Sequence, residues 1–229
     1  MHPGVWLAFG DINGEDFWRN KARIEHVGFT AEPAVAEGRL TFSTRNRLLA
    51  LDKSPLGAMD FRFTIARHGD HAFLLTWEAV TRGNERELVF GPQEEMGLGV
   101  RVATALTEKN GGLVVNSDGL TGAKTVWGKP AAWAAYSRPA DGRVQGVAIF
   151  PASSNPNPTW WHSRDYGVIV ANGFGPRVLP TSADGKLIVK PGESLRLQYG
   201  VLLFDAPAST PVDYAEAHRA FQARLTARP

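Results

Sequence analysis

Residues 60–67 read D-F-R-F-T-I-A-R, so Phe61, Phe63 and Ile65 fall on alternate positions. Strand side chains alternate between faces, and this spacing predicts a strand with one apolar side. The same short period predicts strands over 23–29, 39–43, 47–51, 72–79, 88–90, 99–106, 112–115, 143–150, 166–171, 186–189 and 195–204. Turn signals separate them, among them HGD at 68–70, RGN at 82–84, KNGG at 109–112 and DG at 118–119, 141–142 and 184–185. Many short strands without alternating helices predict an all-β fold, an antiparallel β-sandwich. Only near the C-terminus does the period change: Tyr214, Ala217, Phe221 and Leu225 recur at helical spacing. Thr210 as the cap, Pro211 in the first turn and Asp213 near the positive helix end predict a short helix over 211–226, packed on the sandwich. One domain over 1–229 is the simplest organisation.

Composition narrows the chemistry. The chain has 229 residues, 43% of them hydrophobic, enough for a sizeable core. It has no cysteine, which excludes disulfides, thiolate metal sites and a Cys nucleophile. Net charge is +2 with the signs interspersed, so no nucleic-acid partner is indicated. The start MHPGVWLAFGDING lacks a basic region followed by an apolar one. No uncharged apolar run reaches the ~18 residues of a membrane helix, so no membrane partner is expected. Composition leaves the compartment open; a cytoplasmic location is the expectation if this start is genuine.

Two stretches concentrate candidate chemistry. GPQEEMGLGVR over 91–101 sets Glu94 and Glu95 in a glycine-flanked loop that enters a strand ending at Arg101. A partly desolvated carboxylate there suits a general acid or base, and Arg101 suits clamping a substrate. A solvated acidic turn with Arg101 as its ion-pair partner is the plainer alternative. TWWHSRDY over 159–166 brings Trp161, His162, Arg164, Asp165 and Tyr166 close together in sequence. Aromatic faces stack on sugars and cations, while polar neighbours bind hydroxyls. As a strand it puts Trp160, His162 and Arg164 on one face and Trp161, Ser163 and Asp165 on the other; here the alternative is an aromatic corner anchor. Asn155, in NPNP, is a turn residue or an amide donor to ligand. Lys124 precedes WGKP at 127–130, which lacks the GxxxxGK[ST] pattern. His26 lies mid-strand, as a half-buried structural histidine or a proton partner. Neither HExxH nor HxH joins the histidines, so no metal is expected, and GxSxG is absent.

The stretches HPGVWLAFGDING (2–14), DFW (16–18), QEEMGLGVR (93–101), VNSDG (115–119), WGK (127–129) and RDYG (164–167) resemble, over nearly the whole chain, a bacterial family of unknown function often labelled "methane oxygenase PmoA". The resemblance implies a sandwich of the galactose mutarotase-like supersandwich kind, whose members are similar to proteins found beside carbohydrate-degradation genes. It brings no catalytic mechanism. The particulate methane monooxygenase subunit is an integral membrane protein, so the label is read as a name. Family members usually continue upstream of HPGVW, so the resemblance implies a compact variant, a fragment or a mis-called start; if strands are missing, an exposed sheet edge is expected, to be paired in a homo-oligomer.

The first expectation is a carbohydrate-active or mutarotase-like enzyme without a cofactor, acting on a small molecule or oligosaccharide. Glu94 or Glu95 would be the acid/base, with His26 or His162 as proton partner. Arg101, Arg164, Asp165, Tyr166, Asn155 and Lys124 would bind substrate, and Trp161 would stack on it. The alternatives are a non-catalytic carbohydrate-binding sandwich and a structural domain.

Overall fold

The computed structural model describes residues 4–94, 96–175 and 186–226. Every strand pair in it is antiparallel. The larger sheet has eight strands in the order β2 (Arg23–Ala36), β3 (Arg39–Leu49), β4 (Pro55–His68), β5 (Ala72–Gly83), β14 (Leu195–Pro207), β10 (Arg143–Pro151), β9 (Ala134–Ala140) and β8 (Leu113–Asn116). The smaller has four: β1 (Gly4–Ala8), β7 (Gly97–Arg101), β12 (Val168–Asn172) and β11 (Trp160–Arg164). A ribbon of β6 (Leu88–Phe90) and β13 (Leu187–Val189) closes one end.

The sandwich follows from alternation. Met59, Ala79, Leu197, Tyr199, Val201 and Ile149 point inward from the large sheet and meet Leu98, Val100, Trp161, Ile169 and Ala171 of the small one. A second, smaller core lies on the other side of the large sheet. There α2 (Tyr214–Thr226) sets Ala217 and Phe221 against Leu74, Ala148, Phe150 and Leu202. Asp213 caps this helix through its carboxylate and the Glu216 N–H, 2.8 Å, so α2 begins three residues later than the Thr210–Pro211 signal predicts.

Other elements differ from the sequence reading for identifiable reasons. The strands expected at 39–43 and 47–51 are one strand, β3, because its polar residues Thr44 and Asn46 are buried by pairing rather than exposed in a turn. The strand expected over 99–106 stops at Arg101, and a 3₁₀ turn occupies Thr104–Leu106. The period shows neither β1 and β9 nor the one-turn helix α1 (Ala123–Val126). No helix among the described residues is long and apolar enough to cross a membrane.

The outer face of the small sheet positions the site. Trp6, Gly99, Val170 and His162 form one row across β1, β7, β12 and β11. Trp6 lies over Gly99: a Cβ there would come within 2.5 Å of the indole. Gly97, with φ of 108°, passes so close to the Ala171 carbonyl that any side chain would collide with it. The glycines of GLGV thus allow the loop before β7 to lie close over β12.

Candidate functional site

Glu94 sits in the turn that leads into β7. Asn172, at the end of β12 and fully buried, holds that turn: its Nδ2 donates to the carbonyls of Gln93 (2.6 Å) and Glu94 (2.8 Å). Its Oδ1 accepts from the Phe174 N–H at 2.7 Å, which orients the amide. The Glu94 side chain therefore reaches β11 from a fixed base.

Three groups converge on one oxygen, Glu94 Oε1. Arg164 Nη2 donates at 2.5 Å, Trp127 Nε1 donates at 3.1 Å, and His162 Nδ1 lies 3.1 Å away. His162 and Arg164 are on one face of β11 because they are two residues apart. Trp127 follows α1 and is pinned alongside β11 by two backbone bonds, Gly128 N–H to the Trp161 carbonyl (2.8 Å) and Trp161 N–H to the Lys129 carbonyl (3.1 Å). The Arg164 guanidinium also stands 5.6 Å from the Trp127 ring centroid. Glu94 Oε2 has no hydrogen bond among the described residues, and the side chain is 26% exposed.

Electrostatics separate the two titrating groups. Burial drives the His162 pKa down to about 4, and the Arg164 cation adds to this, while Glu94 pulls the other way. His162 is thus neutral near pH 7. Burial opposes ionisation of Glu94, but His162, the Arg164 and Trp127 hydrogen bonds and the Arg164 charge outweigh it, and the net direction is down. The arrangement is a fixed carboxylate anion with donors gathered on one oxygen and no hydrogen bond to the other among the described residues.

Beside it lies a cleft of about 580 Å³ lined by Glu108, Lys124, Trp127, Ser163, Arg164 and Asp165, among others. Hydrogen bonds tie its walls together. Glu108 Oε1 accepts from the Ala123 N–H (2.8 Å), and Ser163 Oγ donates to the Ala123 carbonyl (2.6 Å). The buried Tyr136 hydroxyl accepts from the Glu108 N–H (2.6 Å) and donates to the Asp165 carbonyl (3.0 Å). Burial pushes that phenol up to about 12, so it stays protonated.

The structure brings Glu94, His162 and Arg164 into contact and places Lys124 and Asp165 on the adjoining cleft. Glu95 lies outside the described residues. Arg101 and Tyr166 pair with each other, guanidinium over ring at 5.3 Å, instead of turning to Glu94. Arg101 stands two strands from Arg164 in register, about 10 Å at the usual strand spacing. Three expectations fail on geometry. Trp161 is fully buried and donates its indole N–H to the Ala131 carbonyl at 3.0 Å, so it is core and has no face for a ligand. His26 is on β2, at the far edge of the large sheet from β8, roughly 34 Å away along seven strand spacings. Its nearest polar partner is Asn46 at 3.4 Å, so it is no proton partner for Glu94. Asn155 spends both amide atoms on Gln198 backbone, donating to its carbonyl (3.0 Å) and accepting from its N–H (2.9 Å), which makes it a loop staple. The expected site residues include neither Asn172 nor Trp127. Neither carries a local signal, since their partners are about 80 and 30 residues away. Among the described residues no group of three or more His, Asp or Glu side chains is placed to hold a metal.

Comparison with known proteins places the chain in a class before any activity. Residues 1–219 match the model of a family of unknown function, DUF6807, and the chain belongs to that family. No curated protein matches it. Among solved structures it is similar to the Slr1438 protein of Synechocystis, at TM-score 0.38 and 11% identity over 79% of this chain and 66% of that one. It is also similar to a GalM/aldose epimerase homologue from C. elegans, at TM-score 0.33 and 10% identity over 80% and 69%. The chain thus spans just under two thirds of the Slr1438 protein.

Proposed function

We propose that the Glu94 cluster and the cleft beside it form a sugar site, and that the protein is a carbohydrate-active enzyme of the mutarotase kind. The observation that supports this most is the asymmetry of the Glu94 carboxylate, with Oε1 held by Arg164, Trp127 and the nearby His162 and Oε2 without a hydrogen bond among the described residues. A carboxylate oriented in this way accepts a proton from a sugar hydroxyl at its other oxygen. For an aldose, the anomeric O–H proton would pass to Oε2, the C1–ring oxygen bond would break, the ring oxygen would take a proton from water, and the hydroxide left would take the proton back from Oε2; closure on the other face of C1 reverses these steps. His162 is too buried to touch a substrate and acts through Glu94, as a positioning residue. Trp127 offers a ring edge and Lys124 and Asp165 offer polar groups for hydroxyls.

A second reading is favoured by one observation: the Glu94 pKa is lowered, which suits accepting hydrogen bonds better than taking up protons. On that reading the domain binds sugars without turning them over. The methane-oxygenase label plays no part in either.

Proton NMR of a panel of mono- and disaccharides tests both. Anomer exchange or cleavage by the parent protein, lost in Glu94→Gln with binding retained, supports the enzyme. Binding without turnover, weakened by Glu94→Gln and Trp127→Ala alike, supports the binder. Absence of both across the panel removes the sugar site.

A further inference from the structure

The two sheets are unequal, and the four-stranded one leaves part of the inner face of the eight-stranded one uncovered. On that uncovered part a ladder of rings runs across four strands. Phe29 of β2 is 6.3 Å from Phe42 of β3, Phe42 is 4.6 Å from Phe63 of β4, and Phe63 is 4.8 Å from Trp77 of β5. Phe42, Phe63 and Trp77 are direct cross-strand partners, so they share one face. That face continues to Phe73 and Leu203, paired partners on β5 and β14. Phe29 is 47% exposed, Val35 76%, Phe73 50% and Leu203 45%. An apolar surface of this extent marks an interaction site.

The β2–β3 hairpin is the edge arm of the large sheet, its β3 strand paired with β4 from Arg39 to Leu49, and β2 is exposed along nearly all of its length. Its turn, Glu37–Gly38, has φ of 50° and 72°, the left-handed pair of a tight hairpin. The arm is apolar along its length, with Ala31, Ala34, Val35 and Ala36, and acidic at its tip, with Glu32 and Glu37. Further along the same inner face stand Arg67, over the Phe73 ring at 6.0 Å, and Arg138 on β9, paired in register with Gln145. Neither arginine has an ion pair among the described residues. The edge of β2 does not offer a clean ladder. Three register shifts and Pro33 interrupt it, the devices that keep edges from pairing.

We infer that the inner-face aromatic strip is a self-association surface, in which the β2–β3 arm of one protomer lies on the strip of a second copy and the reverse. A twofold axis makes the contact isologous, so each acidic tip meets the partner's Arg67, and each apolar arm covers Phe73 and Leu203. The occupant is a second copy because the strip supplies both halves of its own complement, an acidic apolar arm and a basic apolar floor. This contact uses the face of the sheet rather than its edge, and it is independent of the Glu94 site.

Light scattering on the purified full chain at tens of micromolar tests it. The expected mass is twice that of the 24.9 kDa chain. Val35→Asp and Phe73→Asp are each expected to weaken the dimer at least about tenfold, with circular dichroism unchanged, since both side chains are exposed. Glu37→Arg and Arg67→Glu are each expected to weaken it, and mixing the two variants to restore a heterodimer. Because the chain has no cysteine, Val35→Cys protomers mixed with Phe73→Cys protomers are expected to form a disulfide-linked heterodimer. A monomeric parent overturns the inference, even one whose Trp77 fluorescence responds to an oligosaccharide. So does a dimer that survives both aspartate variants and forms no cross-link.

Discussion

His162 and His26 are both mid-strand histidines, yet their surroundings differ in almost every physical respect. His162 is fully buried, lies 3.1 Å from a carboxylate and is held neutral down to about pH 4. His26 is exposed on an edge strand, with a long 3.4 Å approach to Asn46 and the Phe29 ring 5.8 Å away. The cause is the layer above each strand. The turn at Gln93 and Glu94, anchored by Asn172, carries Glu94 over β11, whereas no described strand lies over the distal part of β2. A histidine becomes electrostatically special here through what a distant loop places on it.

The largest expected effect that sharpens this contrast is Trp161→Ala, which removes the core partner directly behind His162 and Arg164. A loss of about 3–5 kcal/mol is expected from the urea midpoint, as for other large-to-small core changes. Loss below 1 kcal/mol would mean that Trp161 is not packed as described. Asn172→Ala comes next. It strips the clamp from the Gln93 and Glu94 carbonyls and leaves the Phe174 N–H unpaired, at about 1–3 kcal/mol. Amide exchange across 92–96 should accelerate with it, and an unchanged pattern would place the loop's anchor elsewhere.

Acid sensitivity is the third. The His162 pKa is lower folded than unfolded, so folding resists its protonation, and stability falls as pH drops from about 6.5 toward about 4. Glu94 is also lowered, so its contribution is present above its unfolded value of 4.5 and disappears as pH falls through its folded value. The two losses run in sequence from the same side. Urea midpoints between pH 7 and 4 should fall in the parent and flatten in His162→Gln, and equal slopes would break the assignment. Smallest of all, His26→Ala should stay within about 0.5 kcal/mol of the parent, because its contacts are exposed and long. A cost as large as that of Asn172→Ala would erase the distinction between the two histidines.

Much of the architecture was legible in the chain. Period-two runs such as 60–67 and 195–204 mark strands β4 and β14, and Tyr214, Ala217, Phe221 and Leu225 mark α2. Strand β9 escaped because AAYSRPA carries no clean alternation: three consecutive residues are buried, Ala134 and Tyr136 in the main core between the sheets and Ala135 in the smaller core beneath α2. The candidate site was half legible. Glu94, His162 and Arg164 stand out as residue types, but Trp161 reads as a platform and is core, because a strand's two faces are not labelled in its sequence.

By itself, the sequence determined the all-strand scaffold, the C-terminal helix and the absence of thiol chemistry, since these depend on periodicity and composition within short windows. Only the tertiary structure decided that Glu94 meets Arg164 across 70 residues and that His26 stands apart. Which face of a strand is covered depends on sheet order and on loops that close from far away, and alternation within one strand records neither.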